Sequence, residues 1–330
     1  MVQGQDSPLF EAKPRTAPTG GTESFSPRAR AMDAWPVQDV LTALWRDQLE
    51  GVAAVRPCIP ALDAASREAA QRLRDPKSRL IYVGAGTSGV LAALDGLELP
   101  CTYGLAPERL IIHRADAPDS LLAIATPEDD NVPAALAAIK HCSPTPKDVV
   151  VAVSAGGATP YTVAFARESS ARGALVIGLA NNADSPLLAL SSHPLLLDTG
   201  PEMVAGSTRM KAGTAQKAAL NMLSTSIMIQ LGHVHDGMMV DMAADNHKLR
   251  ARATAMVSAI TGAGTQEAEN ALASTGYRVK AAVLTLHGVP PERTEEMLAQ
   301  SGGHLRAALD RCQGPAPEYR DSPTSNPRRI

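Results

Sequence analysis

Aromatic residues are scarce in this chain. Phe, Tyr and Trp together make up 3% of its 330 residues, so the core must rest on Ala, Leu and Val. Cysteine is also sparse. Cys58, Cys101, Cys142 and Cys312 lie far apart and form no CxxC pair, which argues against a zinc site or a disulfide framework and fits free thiols in a reducing cytoplasm. No stretch reaches the roughly eighteen apolar residues of a membrane span. The opening "MVQGQDSPLFEAKPRTAPTGG" has acids and prolines where a signal peptide needs an apolar centre, so a cytoplasmic protein with no membrane contact is expected. A formal net charge of -3 gives no overall attraction to nucleic acid, so any anion site must be local. His233, His235 and His247 read as surface or packing residues, and no metal is expected.

What is present falls into zones. Residues 1–22 and 313–330 are rich in Pro, Gly, Ser and charge and read as flexible tails. Between Ala34 and Leu73, "VQDVLTALWRDQLEGVAAV" places apolar residues at helical spacing, with Trp35 and Trp45 read as packing residues. The runs "RLIYVGAG", "RLIIHRA", "DVVVAVSAGG", "ALVIGLANN" and "PLLLDTG" are short, β-branched and apolar on both faces, as parallel strands covered on both sides must be. With helical stretches between them they predict an α/β fold: a doubly wound, parallel, five-stranded sheet with N-terminal helices. Residues 23–260 are assigned to it, and residues 261–312 to a small helical subdomain broken at Gly276, Pro290-Pro291 and Gly302-Gly303.

The chemistry concentrates at strand-to-helix junctions. "GAGTSG", residues 84–89, sets Gly86, Thr87, Ser88 and Gly89 where the backbone N–H groups and positive end of a helix suit a phosphate. The P-loop lysine is missing. The spacing also matches a dinucleotide turn, but Asp116 lies well beyond the usual distance for a ribose-binding acid. "SAGGATPY" repeats the theme with Gly156, Gly157 and Thr159. "GPEMVAGSTRMKAGTAQK" gathers Glu202, Ser207, Thr208, Arg209, Lys211, Thr214 and Lys217 at the start of a long helix, where the plain alternative is capping with solvated charges. Two acids stand out for proton transfer. Glu98 lies within the apolar "LDGLELP", a setting that would raise its pKa, and Glu128 opens the acidic run Glu128-Asp129-Asp130, which a helix first turn would equally explain.

The whole pattern resembles the N-acetylmuramic acid 6-phosphate etherases of the sugar isomerase (SIS) superfamily. "GPEMVAGSTRMKAGTAQKAALNMLST", residues 200–225, carries most of the resemblance, supported by "IYVGAGTSG", "TESFSPRARAMDAW", "DNHKLRARA" and a C-terminal block like that family's ubiquitin-associated-like subdomain. The resemblance implies a flavodoxin-like SIS sheet, a phosphorylated amino sugar as substrate, a homodimer and no cofactor. It also implies loss of the D-lactyl ether by elimination and rehydration, during cell-wall recycling. By motif position Glu98 matches one acid of the family; Glu128 matches the second with a one-residue gap, and Asp129 without it. Gly86, Thr87, Ser88, Gly89, Gly156, Gly157, Thr159, Glu202, Ser207, Thr208 and Lys211 are the expected contacts to sugar and phosphate, with GTSG holding the phosphate and Glu98 beside the reacting carbons. The chain departs from the family's pattern at Val90, Gly156, Ala158 and residues 115–118. Two other readings share the ancestry: a non-catalytic regulator similar to the glucokinase regulatory protein, and a sugar-phosphate isomerase.

Overall fold

Parallel strands with apolar side chains on both faces need a helical layer on each side. The computed structural model, which describes residues 21–115 and 129–312, supplies two. Strands β1 (Leu80–Gly84), β2 (Leu110–Arg114), β3 (Val149–Val153), β4 (Leu175–Ala180) and β5 (His193–Leu196) form one sheet in the order β2-β1-β3-β4-β5. Every pairing in it is parallel, and Gly84 stands opposite Val153. This is the flavodoxin-like order, and the chain reverses its winding between β1 and β3.

The pleat sorts the side chains. Leu80, Tyr82, Val149, Val151 and Ile177 pack on one side with helices α1 (Val37–Ala53), α2 (Ile59–Leu73), α3 (Gly86–Tyr103) and α7 (Lys211–Gln230). Ile81, Val83, Val150 and Val176 pack on the other with α4 (Val132–Cys142), α5 (Pro160–Ala171) and α6 (Pro186–Leu190). Helix α7 is the hub of the first side, because α1, α2 and α3 all lie against it. At the end of the sheet away from the glycine turns, Asp148 accepts from Arg79 N, Nε and Nη2 and from Thr145 N and Oγ1, which pins the starts of β1 and β3 together.

A third apolar cluster runs from Val240 to Ala308. It draws helix α8 (His247–Thr261) into the C-terminal helices α9 (Thr265–Ser274), α10 (Val279–Leu286), α11 (Thr294–Gln300) and α12 (Leu305–Cys312), whereas the sequence reading leaves α8 with the sheet. Lys280 of α10 joins the two parts by donating to the Gly303 carbonyl at 2.8 Å and to Asp241, which also holds His233 at 2.7 Å. Among the described residues no helix is long and apolar enough to cross a membrane, and no three His, Cys, Asp or Glu residues gather to hold a metal ion.

Candidate active site

The winding reversal between β1 and β3 brings the first two glycine turns side by side. Gly84 ends β1, Ala85 is extended, and Gly86, with φ +52°, opens α3. Here the glycines are enforced by closeness: a Cβ on Gly84 would stand 2.8 Å from the Gly89 Cα, so the first turn of α3 sits directly on the strand end. Gly157, at φ +67°, is packed against Ser185 in the second turn and has the same need. Its N–H donates to Ser154 Oγ at 3.1 Å, and that hydroxyl pairs with Thr159 Oγ1 at 2.8 Å.

Neither α3 nor α5 is capped by the side chain of its own N-cap residue. The first backbone N–H groups of each helix, with the positive end of its dipole, therefore face the turns. Ser88 is buried and Thr87 half-buried in the first turn, while Gly156 and Thr159 are half-buried in the second. Unpaired helix-start N–H groups beside small hydroxyl side chains are an arrangement whose chemistry suits an anion.

The third motif contributes differently from the sequence expectation. Glu202 is fully buried and accepts from the N–H groups of Lys211 at 3.0 Å and Ala212 at 2.9 Å, so α7 is capped by a carboxylate of its own chain. Burial pushes the Glu202 carboxyl above its ordinary value, against the pull of those two amides. Lys211 is 1% exposed and donates to Asp47 Oδ1 at 2.8 Å and to the Pro201 carbonyl at 2.8 Å. Both residues are thus engaged in holding α7 and α1, where the sequence alone assigns them to the ligand. Ser207 and Thr208 remain half-buried beside the first turn: a Cβ on Gly213 would lie 3.2 Å from the Thr208 carbonyl and 3.9 Å from Thr87 Cγ2.

The two acids separate. Glu128 lies outside the described residues, but its neighbour Asp129 reaches the first turn, with Oδ2 3.7 Å from where a Gly86 Cβ would be. Glu98 does not reach it. It stands twelve residues along α3 from Gly86, about 18 Å by helical rise, which is longer than a hexose phosphate and a glutamate side chain together. It is exposed rather than set in apolar surroundings, on a helix whose Leu94 and Leu97 are 49% and 50% exposed. Within one chain GTSG and Glu98 cannot grip the same small sugar.

Sequence also misses neighbours that only the fold supplies. Thr22 donates its N–H to Asn182 Oδ1 at 3.1 Å, tethering the N-terminal segment beside the β4 exit, and Glu23 Oε2 comes within 3.2 Å of where a Gly206 Cβ would be. Gln216 of α7 donates to Asn181 Oδ1 at 2.9 Å, fixing α7 against the end of β4. The "TES" run is the sole hint of the first; nothing local marks the second.

Comparison with known proteins places this architecture. Residues 134–226 match the SIS domain. The chain is 43% identical over 263 residues to the N-acetylmuramic acid 6-phosphate etherase of Deinococcus radiodurans, covering 80% of this chain and 86% of that one. It is 41% identical over 264 residues to the same-named protein of Streptomyces avermitilis, covering 80% and 85%, and 40% identical over 264 residues to N-acetylmuramic acid 6-phosphate etherase 1 of Vibrio cholerae, covering 80% and 87%. Among solved structures it is similar to the NanR protein of Vibrio vulnificus complexed with ManNAc-6P, at a TM-score of 0.41 and 18% identity over 64% of this chain and 70% of that one. Identity of 40% or more to these three relatives, across 80% of the chain, shows that it belongs to the N-acetylmuramic acid 6-phosphate etherase family.

Proposed function

We propose that the chain is a carbon–oxygen lyase that cleaves the D-lactyl ether of N-acetylmuramic acid 6-phosphate, acting as a cytoplasmic homodimer without a cofactor. The observation that carries the reading is the pair of helix starts at the winding reversal, ringed by Thr87, Ser88, Thr159, Ser207 and Thr208 and approached by Asp129. Such a cradle takes the 6-phosphate. In the open-chain sugar the C2 proton is acidified by the adjacent aldehyde; a base removes it, the C3–O bond breaks, and lactate leaves. Water then adds across the C2–C3 double bond, returning a proton to C2 and a hydroxyl to C3, so that N-acetylglucosamine 6-phosphate and D-lactate result. Two positioned acid/base groups suffice.

The distance from Gly86 to Glu98 favours a site shared between two copies. In a two-fold dimer built on the apolar side of α1, α3 and α7, Glu98 of one copy serves the phosphate cradle of the other, next to the second copy's Asp129. Contact with the partner would also give Glu98 the apolar setting that the isolated chain lacks.

The decisive experiment measures lactate released from N-acetylmuramic acid 6-phosphate by wild type, Glu98→Gln, the double variant Thr87→Ala/Ser88→Ala, and an equimolar mixture of the two variants after subunit exchange. Wild type should release lactate, and each variant should lose at least about 100-fold. The mixture should recover about a quarter of wild-type activity, since half the dimers are mixed and each holds one intact site. Sugar-phosphate binding without lactate release would point to the regulator class; turnover to an isomeric sugar with the ether intact would point to an isomerase. A mixture no more active than its components would exclude the shared site.

A further inference from the structure

Between β1, α3 and α7 lies a carboxylate that the proposed reaction does not use. Asp95 is 5% exposed and faces inward from α3, one turn before Glu98. Tyr82 of β1 donates its hydroxyl to Asp95 Oδ2 at 2.7 Å, and from α7 Asn221 Nδ2 and Ser224 Oγ donate to Oδ1 at 2.6 and 3.0 Å. Lys217, exposed one turn earlier on α7, donates to the side-chain carbonyl oxygen of Asn221, which orients the amide so that its NH₂ faces Asp95. Burial, then the charge of Asp95, pushes the Tyr82 phenol well above its ordinary value and keeps it a donor.

Four elements of this arrangement point the same way. All three side-chain bonds to Asp95 are donated to it, which suits an acceptor-only, ionised carboxylate. No ion pair to Asp95 occurs among the described residues, so its charge is held by neutral dipoles in a buried site, an arrangement that hydrophobic packing alone would not require. The bonds tie the middle of α3 both to β1 and to the hub helix. The next turn of α3 carries Glu98, and Pro100 beyond it removes one backbone N–H from the helical ladder, so this end of α3 relies more on side-chain anchorage.

We propose that Asp95 is a positioning residue for the etherase reaction, fixing through Asn221, Ser224 and Tyr82 the segment of α3 that presents Glu98. The inference rests on the lyase reading above. Acid/base groups displaced by about 1 Å lose rate steeply, on the order of 100-fold, while a phosphate cradle at the far end of the helix keeps its grip. Removing the anchor therefore lowers kcat and leaves KM nearly unchanged.

The test compares full-length wild type with Asp95→Asn and with the exchange variant Asp95→Asn/Asn221→Asp. In the exchange variant the amide now on α3 can donate to both the carboxylate now on α7 and Ser224 Oγ, while its carbonyl accepts from Tyr82, so the network re-forms with its polarity reversed. Asp95→Asn should reduce kcat for lactate release by about 10- to 100-fold with KM within about threefold, and the exchange variant should recover most of the loss. Unaltered kcat in Asp95→Asn, or kcat and KM worsening together without recovery in the exchange variant, would overturn the assignment and leave Asp95 a merely structural residue. If wild type releases no lactate, it is the lyase reading that has failed. Anchorage is then read from amide hydrogen exchange over residues 94–103, where Asp95→Asn should exchange at least about tenfold faster and the exchange variant like wild type; equal exchange in all three would overturn the anchorage as well.

Discussion

The two sides of the sheet are finished to different degrees. On the α4–α5–α6 side, Phe165, Ile139, Val176 and Leu187 are at most 1% exposed, and among the described large apolar residues of those helices only Leu136 turns towards solvent, at 46%. On the α1–α2–α3–α7 side the core is as well buried, yet a second apolar layer lies outside it. Val37, Leu41, Trp45, Leu49 and Val52 run down one face of α1 at 51–73% exposure, accompanied by Leu94 and Leu97 on α3 and Met222 and Ile229 on α7. Scattered exposed leucines need no explanation, but a stripe along one helix beside like residues on its neighbours marks a contact surface. One side presents few large apolar side chains to water; the other presents a layer of them.

Assembly offers the largest effect by which to break this contrast. Trp45→Glu/Leu49→Glu puts two charges into the exposed stripe and should weaken self-association by at least about 100-fold, with lactate release falling in parallel, while circular dichroism of the dissociated chain stays native. Sedimentation at micromolar concentration measures it. A variant still associated like wild type would mean that the stripe is not the covered surface.

Core truncation on the closed side should behave in the opposite way. Phe165 is completely buried and stacks near His113 with ring centroids 5.0 Å apart, so Phe165→Ala should cost about 3–5 kcal/mol of unfolding free energy. If a second copy covers only the α1–α3–α7 side, the loss in denaturant titrations should be the same at low and high protein concentration.

How much of this is legible in the sequence depends on the range of the interaction. The five strands and the two glycine turns follow from local signals: apolar runs covered on both faces, closed by glycine, then a helix; the order of the strands in the sheet is a non-local property that only the family resemblance implies. Glu98 is misjudged from sequence because Leu97 and Leu99 flank it, and neighbours in a helical sequence point to different faces; Leu99 is 2% exposed and Leu97 50%. Glu202 and Lys211 have the chemistry of anion-site residues, and only the fold shows them consumed by the α7 amides and by Asp47, 164 residues away. Asp95 gives no local signal at all, since its α7 partners lie 126 and 129 residues along the chain.

A smaller, pH-dependent effect is expected where both sides share a foundation. Burial alone would raise the Asp148 carboxyl, but Arg79, the amides of Thr145 and Arg79 and the Thr145 hydroxyl outweigh it and hold it below its ordinary value. A depressed carboxylate adds stability above its unfolded value, and that stability is lost as pH falls through the folded value. Asp148→Asn should therefore cost about 1–3 kcal/mol near pH 7, with its melting temperature converging on that of wild type below about pH 4. Melting curves between about pH 3 and 7 would show it; a constant gap would mean that the carboxylate charge is not what matters at this position.

The smallest expected effect discriminates the two sides most finely. Arg28 and Glu50 form a two-pronged ion pair at 2.6 and 2.7 Å beside the exposed stripe, with side chains 59% and 47% exposed. In an isolated chain such a pair contributes at most about 1 kcal/mol and is screened by salt, so Glu50→Gln should barely move the stability of dilute protein. If a second copy covers this side, the pair becomes drier, and loss of one partner leaves the Arg28 charge less compensated. The cost of Glu50→Gln should then rise with protein concentration and become less sensitive to salt. A cost independent of concentration would place Glu50 outside the covered area and confine that surface to the stripe from Val37 to Val52 and its neighbours on α3 and α7.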